Sequence, residues 1–500
     1  MAGATLLLLA GCTSIPQLAE NPPPAPREFR GVWVATVNNI DWPTQAGLPA
    51  AQQRSEALAI LDRARALNLN TIILQVRPAA DAIYPSKLEP WTEYLAGQQG
   101  HDPGYDPLQF WVEEAHRRGL QLHAWFNPYR ARHQLAKSPF APGHIALTHP
   151  SAVKHYGELW WMDPGDAFAS QRTLEVVADV VRRYDVDGVH IDDYFYPYPI
   201  AAPLPPGAKP NPNVPAPVVD FPDEPSWKLY RAGGGRLERA DWRRQNVDQL
   251  VERLYRTVHS IRPQVLFGVS PFGLGRPDRR PPGIEGFSQY DKLYANVELW
   301  LERGWLDYLA PQLYWPRAQK PQAFAALLDY WTRQNTTHRH LWPGLFTSSI
   351  NDTPKSWAPA EILGQIELMR AAPAASGHIH YSMIALMEDR HGISAQLQAG
   401  PNASPVLTPA TPWLGTVPSE APELKKQKGG SVLVKIAPGA TTANFAIWRR
   451  HGAVWIFSTQ AANTPLVDVT GADAIVVSTV DRAGNESPRA ALTLVRAKKS

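Results

Sequence analysis

From Phe29 onward the chain alternates, round after round, between a short β-branched apolar run and a longer amphipathic helical stretch. Strand-like runs fall at 30–36, 71–78, 121–128, 188–195, 265–272, 306–315, 340–348 and 377–386. Helical periodicity covers 51–67, 106–118, 166–184, 241–261, 321–334 and 360–370, with stop signals such as Arg117-Arg118-Gly119. Eight β-then-α rounds within about 360 residues are what a closed parallel barrel requires. An open doubly wound sheet would share the alternation, but no Gly-rich phosphate fingerprint follows any run. The fold class expected is therefore α/β, a (β/α)8 TIM-type barrel over 27–399.

Side chains alternate along a strand, so each run sorts into two faces. In Asp187-Gly188-Val189-His190-Ile191-Asp192-Asp193-Tyr194-Phe195-Tyr196-Pro197, Val189 and Ile191 belong against the helices. His190, Asp192 and Tyr194 then turn inward, with Asp193 opposite. The same parity sets Gln75 and Arg77 against Ile72, Leu74 and Val76, and His123 and Asn127 against Leu122, Ala124 and Phe126. It also sets Ser270 against Val269, Gln312 and Tyr314 against Leu309 and Leu313, and His378, His380 and Ser382 against Ile379 and Met383. Burying that many polar groups is costly unless they bond to one another or to a ligand, so a polar site at the barrel mouth is expected. Loops around Asp41, Asp81 and Asp163 add acids near the same rim. The Pro-rich stretch 197–225 reads as a lid or groove wall.

A chain of 500 residues exceeds one ordinary domain. After a Pro- and Ser-rich linker at 400–430, short alternating strands at 431–500 predict a small β-sandwich. Its stretch Thr479-Val480-Asp481-Arg482-Ala483-Gly484-Asn485-Glu486-Ser487 resembles the end of a fibronectin type III module, a spacer or a dock for envelope or cell-division proteins. The net charge of +3 with no basic stripe excludes a nucleic-acid partner. The only cysteine, Cys12, closes an apolar run ending Leu9-Ala10-Gly11-Cys12. That resembles a lipoprotein signal over 1–12, with 13–26 as a stiff tether and a lipid on Cys12 as the membrane contact.

The motifs then assemble. Phe29-Arg30-Gly31-Val32-Trp33-Val34-Ala35-Thr36, Gln75-Val76-Arg77-Pro78, His123-Ala124-Trp125-Phe126-Asn127-Pro128-Tyr129-Arg130 and His190 to Pro197 resemble the bacterial glycosyl-hydrolase-like lipoproteins of the tenth such group. So do Asp241-Trp242-Arg243-Arg244, Gly268-Val269-Ser270-Pro271-Phe272-Gly273 and Pro311-Gln312-Leu313-Tyr314-Trp315. The resemblance implies a barrel, lipid anchoring at the outer membrane facing the periplasm, and hydrolysis of peptidoglycan glycan strands stripped of stem peptides. No cofactor or metal is implied.

Cleaving a glycosidic bond generally takes one carboxyl as proton donor and a second as nucleophile or base, about 5–5.5 Å apart in retaining sites and about 6.5–9.5 Å in inverting ones. Asp192 is the first catalytic candidate, with His190 beneath it as hydrogen-bond partner. Asp193 is the second, although neighbours on a regular strand point apart. Asp163, Asp41 and Asp81 are the alternatives for the second acid. Gly188-x-His190-x-Asp192 is similar to an α-amylase-type fourth strand with Asp192 as nucleophile. A chitinase-type alignment puts Tyr194 where the acid would stand, which argues against it. Arg77, His123, Asn127, Tyr129, His190, Tyr194, Gln312, Tyr314 and Trp315 are assigned to substrate, Arg77 being suited to the lactyl carboxylate of N-acetylmuramic acid. Three other readings stand beside this one: a metal hydrolase on His190, Asp192, His378 and His380, a lipoprotein that grips glycan without cutting it, and a purely structural role for the paired aspartates as loop caps.

Overall fold

A computed structural model describes residues 21–203, 217–415, 420–439 and 441–494. Cys12, most of the tether and the centre of the 197–225 stretch lie outside the described residues. The barrel strands are β1 (Phe29–Val34), β2 (Thr71–Arg77), β3 (Gln121–Phe126), β4 (Gly188–Ile191), β5 (Leu266–Val269) and β6 (Tyr308–Leu309). β7 comes in two pieces, His340–Leu341 and Gly344–Leu345, followed by β8 (Gly377–His380). Every pairing is parallel. Pro343 has no N–H to give the ladder, so β7 breaks there. Its first piece pairs with β6 and its second with β8, which closes the ring. The predicted runs overshoot at their carboxyl ends because the rim carries the same aromatic and β-branched residues as the strands.

Helices pack where periodicity placed them: Ala50–Ala66, Pro107–Arg117, Ala167–Arg183, Arg239–Ile261, Phe324–Gln334 and Pro359–Ala371. Asp106 and Asp166 start two of them, each accepting a backbone N–H three residues on. The outward strand residues, among them Val32, Leu74, Leu122, Val189 and Val269, share one large core with these helices. The lumen has its own core of Phe29, Trp33, Ile73, Trp125, Tyr308 and Ile379, with Phe29 stacked on Trp342 at 3.6 Å between centroids. One expectation is corrected here. In β8 it is Ile379 that fills the lumen, so His378 and His380 face the helix layer, where His380 Nδ1 lies 2.8 Å from Thr347 Oγ1.

The C-terminal unit pairs antiparallel strands into a three-stranded and a four-stranded sheet. Val432, Val434, Phe445, Ile447, Ile475 and Val477 form the core between them. Its first strand, Glu423–Lys426, lies inside the stretch read as linker. The unit docks on the amino-terminal face of the barrel: Arg482 pairs with Asp185 and lies 3.4 Å from Asp187, just before β4, and its carbonyl accepts from Gln121 Nε2 at 3.1 Å. It therefore sits at the end opposite the mouth.

Candidate active site

Where the strands end, a cavity of about 260 Å3 opens at the carboxyl face of the barrel. Regular strand geometry stops at Ile191 and the chain bends at Asp193, so Asp192 and Asp193 both line this cavity instead of pointing apart. Asp192 Oδ2 accepts from Trp125 Nε1 at 2.9 Å and from Asn127 Nδ2 at 3.2 Å. Oδ1 receives a 3.5 Å approach from the Tyr194 N–H. Desolvation pushes the Asp192 carboxyl up to about 7, against the pull of Arg130 and with a push from Asp193. Burial raises Asp193 as well; Tyr198 and Gln312 oppose that shift by hydrogen bonding, Tyr198 by donating its hydroxyl to Oδ2. Arg130, whose guanidinium lies 4.1 Å from the Tyr194 ring centroid, also lines the cavity.

Below the acids runs a defined chain of hydrogen bonds. Trp33 Nε1 donates to His190 Nε2 at 3.1 Å, and an indole nitrogen can only donate. His190 therefore carries its proton on Nδ1 and gives it to Tyr308 Oη at 3.0 Å, and the Tyr308 hydroxyl donates to His123 Nδ1 at 3.0 Å. Burial holds both histidines below their ordinary range, so the chain is neutral, His123 being lowered to about 4. Gly188 and Gly268 make room for it: a Cβ at Gly188 would come within 2.6 Å of the His123 ring, and one at Gly268 within 2.0 Å of Tyr308. Tyr308→Phe leaves both imidazoles short of a partner and is expected to cost about 1–3 kcal/mol, read as a lower urea midpoint at unchanged slope.

The structure separates several residues that the sequence had grouped. His190 bonds to Trp33 and Tyr308, and the polar contacts to Asp192 come from Trp125 and Asn127 instead. His123 lies in the lumen beneath the site. Tyr129 is fully buried and meets Ser170 Oγ at 3.1 Å, behind β3. Arg77 follows a register shift at the end of β2, and that irregularity turns it away from the lumen onto Glu89. Trp315 packs on Phe272 at 5.5 Å, outside the cavity. His190, Tyr194, Gln312 and Tyr314 do line it, and Asn127 reaches it through Asp192.

None of the three alternative acids lines the cavity. Asp41 is occupied by the Ala35 and Ile384 N–H groups and the Ser382 hydroxyl, Asp81 by Ala79 N and Gln99, and Asp163 by Gly165 N and Ser226. The proposed metal set does not assemble either, since His378 and His380 face the helix layer while His190 and Asp192 face the lumen. Sequence reasoning passed over Trp33, Trp125, Arg130, Tyr198 and Tyr381, which all line the site. Trp125 had a signal: it shares parity with His123 and Asn127. Arg130 closes the same motif three residues beyond Asn127.

Comparison with known proteins adds an independent line. The model of the glycosyl hydrolase-like 10 family matches residues 28–359. The chain is 37% identical over 443 residues to glycosyl hydrolase YngK of Bacillus subtilis, covering 85% of this chain and 83% of that protein. It is 34% identical over 414 residues to glycosyl hydrolase DigH of Escherichia coli K12, covering 75% and 90% respectively. Among solved structures, the PgaB (BpsB) glycoside hydrolase domain from Bordetella bronchiseptica aligns over 75% of this chain and 98% of that chain, at 14% identity and a TM-score of 0.49.

Proposed function

The chain belongs to the glycosyl hydrolase-like 10 family, and from that premise we propose that it hydrolyses glycosidic bonds in peptidoglycan glycan strands freed of their stem peptides. A lipid on Cys12 would hold it at the envelope. The observation that carries the reading is the convergence of two buried carboxyls on one cavity at the barrel mouth. Asp192 Oδ2 is taken up by two N–H donors, so a proton on this group belongs on Oδ1, where it can meet a leaving oxygen. The aromatic walls suit the apolar faces of sugar rings. Arg130, the cation of the cavity lining, takes over the anion-recognition role first given to Arg77.

The test is incubation of the protein with amidase-stripped sacculi, scoring soluble sugar and new reducing ends. Binding without release would leave a glycan-gripping lipoprotein and overturn the enzymatic reading. The pH profile follows from the two acids. Asp192 must keep its proton, so the rate falls as pH rises through about 7. Asp193 must be ionised, so the rate also falls toward acid pH. Arg130→Gln removes the positive charge that favours ionisation of both, so both limbs move to higher pH.

A further inference from the structure

A conventional glycosidase pair attacks the sugar from two sides, and this cavity offers acids on one side only. Asp192 and Asp193 are consecutive residues at the end of β4. Diametrically across the ring stands β8, which presents Tyr381, flanked by Phe346 after β7 and Trp33 on β1. No other Asp or Glu of the described residues lines the cavity. Residues 204–216, which the structure does not describe, contain none in their sequence. Among the described residues, then, no carboxylate stands on the face opposite Asp192 and Asp193 to act as nucleophile.

Resting on the glycosidase reading above, we infer that the substrate supplies its own nucleophile: the carbonyl oxygen of the 2-acetamido group on the sugar being cleaved, with Asp193 accepting that amide's N–H and Asp192 donating to the leaving oxygen. Substrate assistance of this kind is an established route for glycosidases that lack a protein nucleophile. In the first step the acetamido oxygen bonds to C1 and the C1–O glycosidic bond breaks. The leaving oxygen keeps the electron pair and takes the Asp192 proton, while the amide proton passes to Asp193. In the second step water attacks C1 and the C1–acetamido bond breaks. A water proton returns to Asp192, and Asp193 gives the amide its proton back. Two displacements at C1 retain its configuration. The site is thereby selective for 2-acetamido sugars at the bond cleaved, and Tyr198 and Gln312, which bond to Asp193, keep that carboxylate aimed and charged.

The experiment uses the whole protein on amidase-stripped glycan strands, with three readouts. Early products followed by NMR should show retention. An N-acetylglucosamine thiazoline, which mimics the closed acetamido ring, should inhibit at least about 100-fold more tightly than N-acetylglucosamine. Asp193→Asn should lose roughly 10²–10³-fold in kcat and lose thiazoline affinity in parallel, with no rescue by azide. Inversion at C1, indifference to the thiazoline, or an azide-rescued Asp193→Asn giving a glycosyl azide of inverted configuration would each overturn the inference while leaving the glycosidase reading intact. A wild-type protein that releases no glycan overturns both.

Discussion

Asp192→Asn is expected to yield a folded protein that still binds stripped glycan but releases soluble sugar at least about 10³-fold more slowly than wild type. The argument starts from the oxygen atoms. Oδ2 already holds two donors, from Trp125 and Asn127, and an asparagine oxygen can keep accepting from at least one of them. What asparagine lacks is the dissociable proton on the cavity side. Geometry and aromatic walls therefore persist, while the step that protonates the leaving oxygen fails.

A second readout separates this from simple damage. The folded-state carboxyl sits at about 7, far above the roughly 3.9 of an unfolded chain, so the native state binds more protons across that window. Stability attributable to this group is thus greatest at acid pH and falls as pH rises toward 7. Asparagine removes that cost, so the variant should melt at or above the wild-type temperature at pH 8, and its advantage should vanish near pH 4. An Asp192→Asn protein that is fully active, or one that unfolds at pH 8 under conditions where wild type does not, would sink the assignment of this residue as the buried acid.

The barrel could be read from the sequence because a repeated β-then-α alternation leaves few closed solutions, and because period-2 parity survives inside each strand. Parity correctly turned His190 and Gln312 toward the lumen and Val189 and Leu309 away. It failed where the backbone departs from regularity. At Asp193 the chain bends and brings a residue of the wrong parity into the cavity; at Arg77 a register shift takes one of the right parity out. In β8 the polar residues looked functional, but apolar Ile379 had the stronger claim to a lumen already floored by Phe29 and Trp342. Trp125 does two jobs at once, filling the lumen and holding Asp192 by its indole N–H. Bends and bulges depend on neighbouring strands and loops, so one strand's own residues do not disclose them.

Arg77→Met should be the most destabilising single change at the site's periphery, by about 3–5 kcal/mol, measured by chemical unfolding. Arg77 is 0% exposed and forks onto Glu89, its Nε 3.0 and 2.8 Å from the two carboxylate oxygens. Its Nη1 also donates to the carbonyls of Asn127 and Pro128 at 2.8 and 3.0 Å. Methionine fills most of the volume but leaves a buried carboxylate and two carbonyls without their cation. Lysine would keep the charge but not the planar fork, so Arg77→Lys should recover only part of the loss.

The double variant Arg77→Met/Glu89→Leu discriminates further. With both charges gone, much of the stability should return, because a buried pair contributes little net stability while an orphaned partner is costly. Activity should return less completely. The carbonyls that Arg77 held flank the segment whose Asn127 amide bonds to Asp192, and neither leucine nor methionine can tie them down. Restored stability alongside depressed turnover would place Arg77 as a positioning residue that acts through Asn127. Full recovery of both would reduce it to packing.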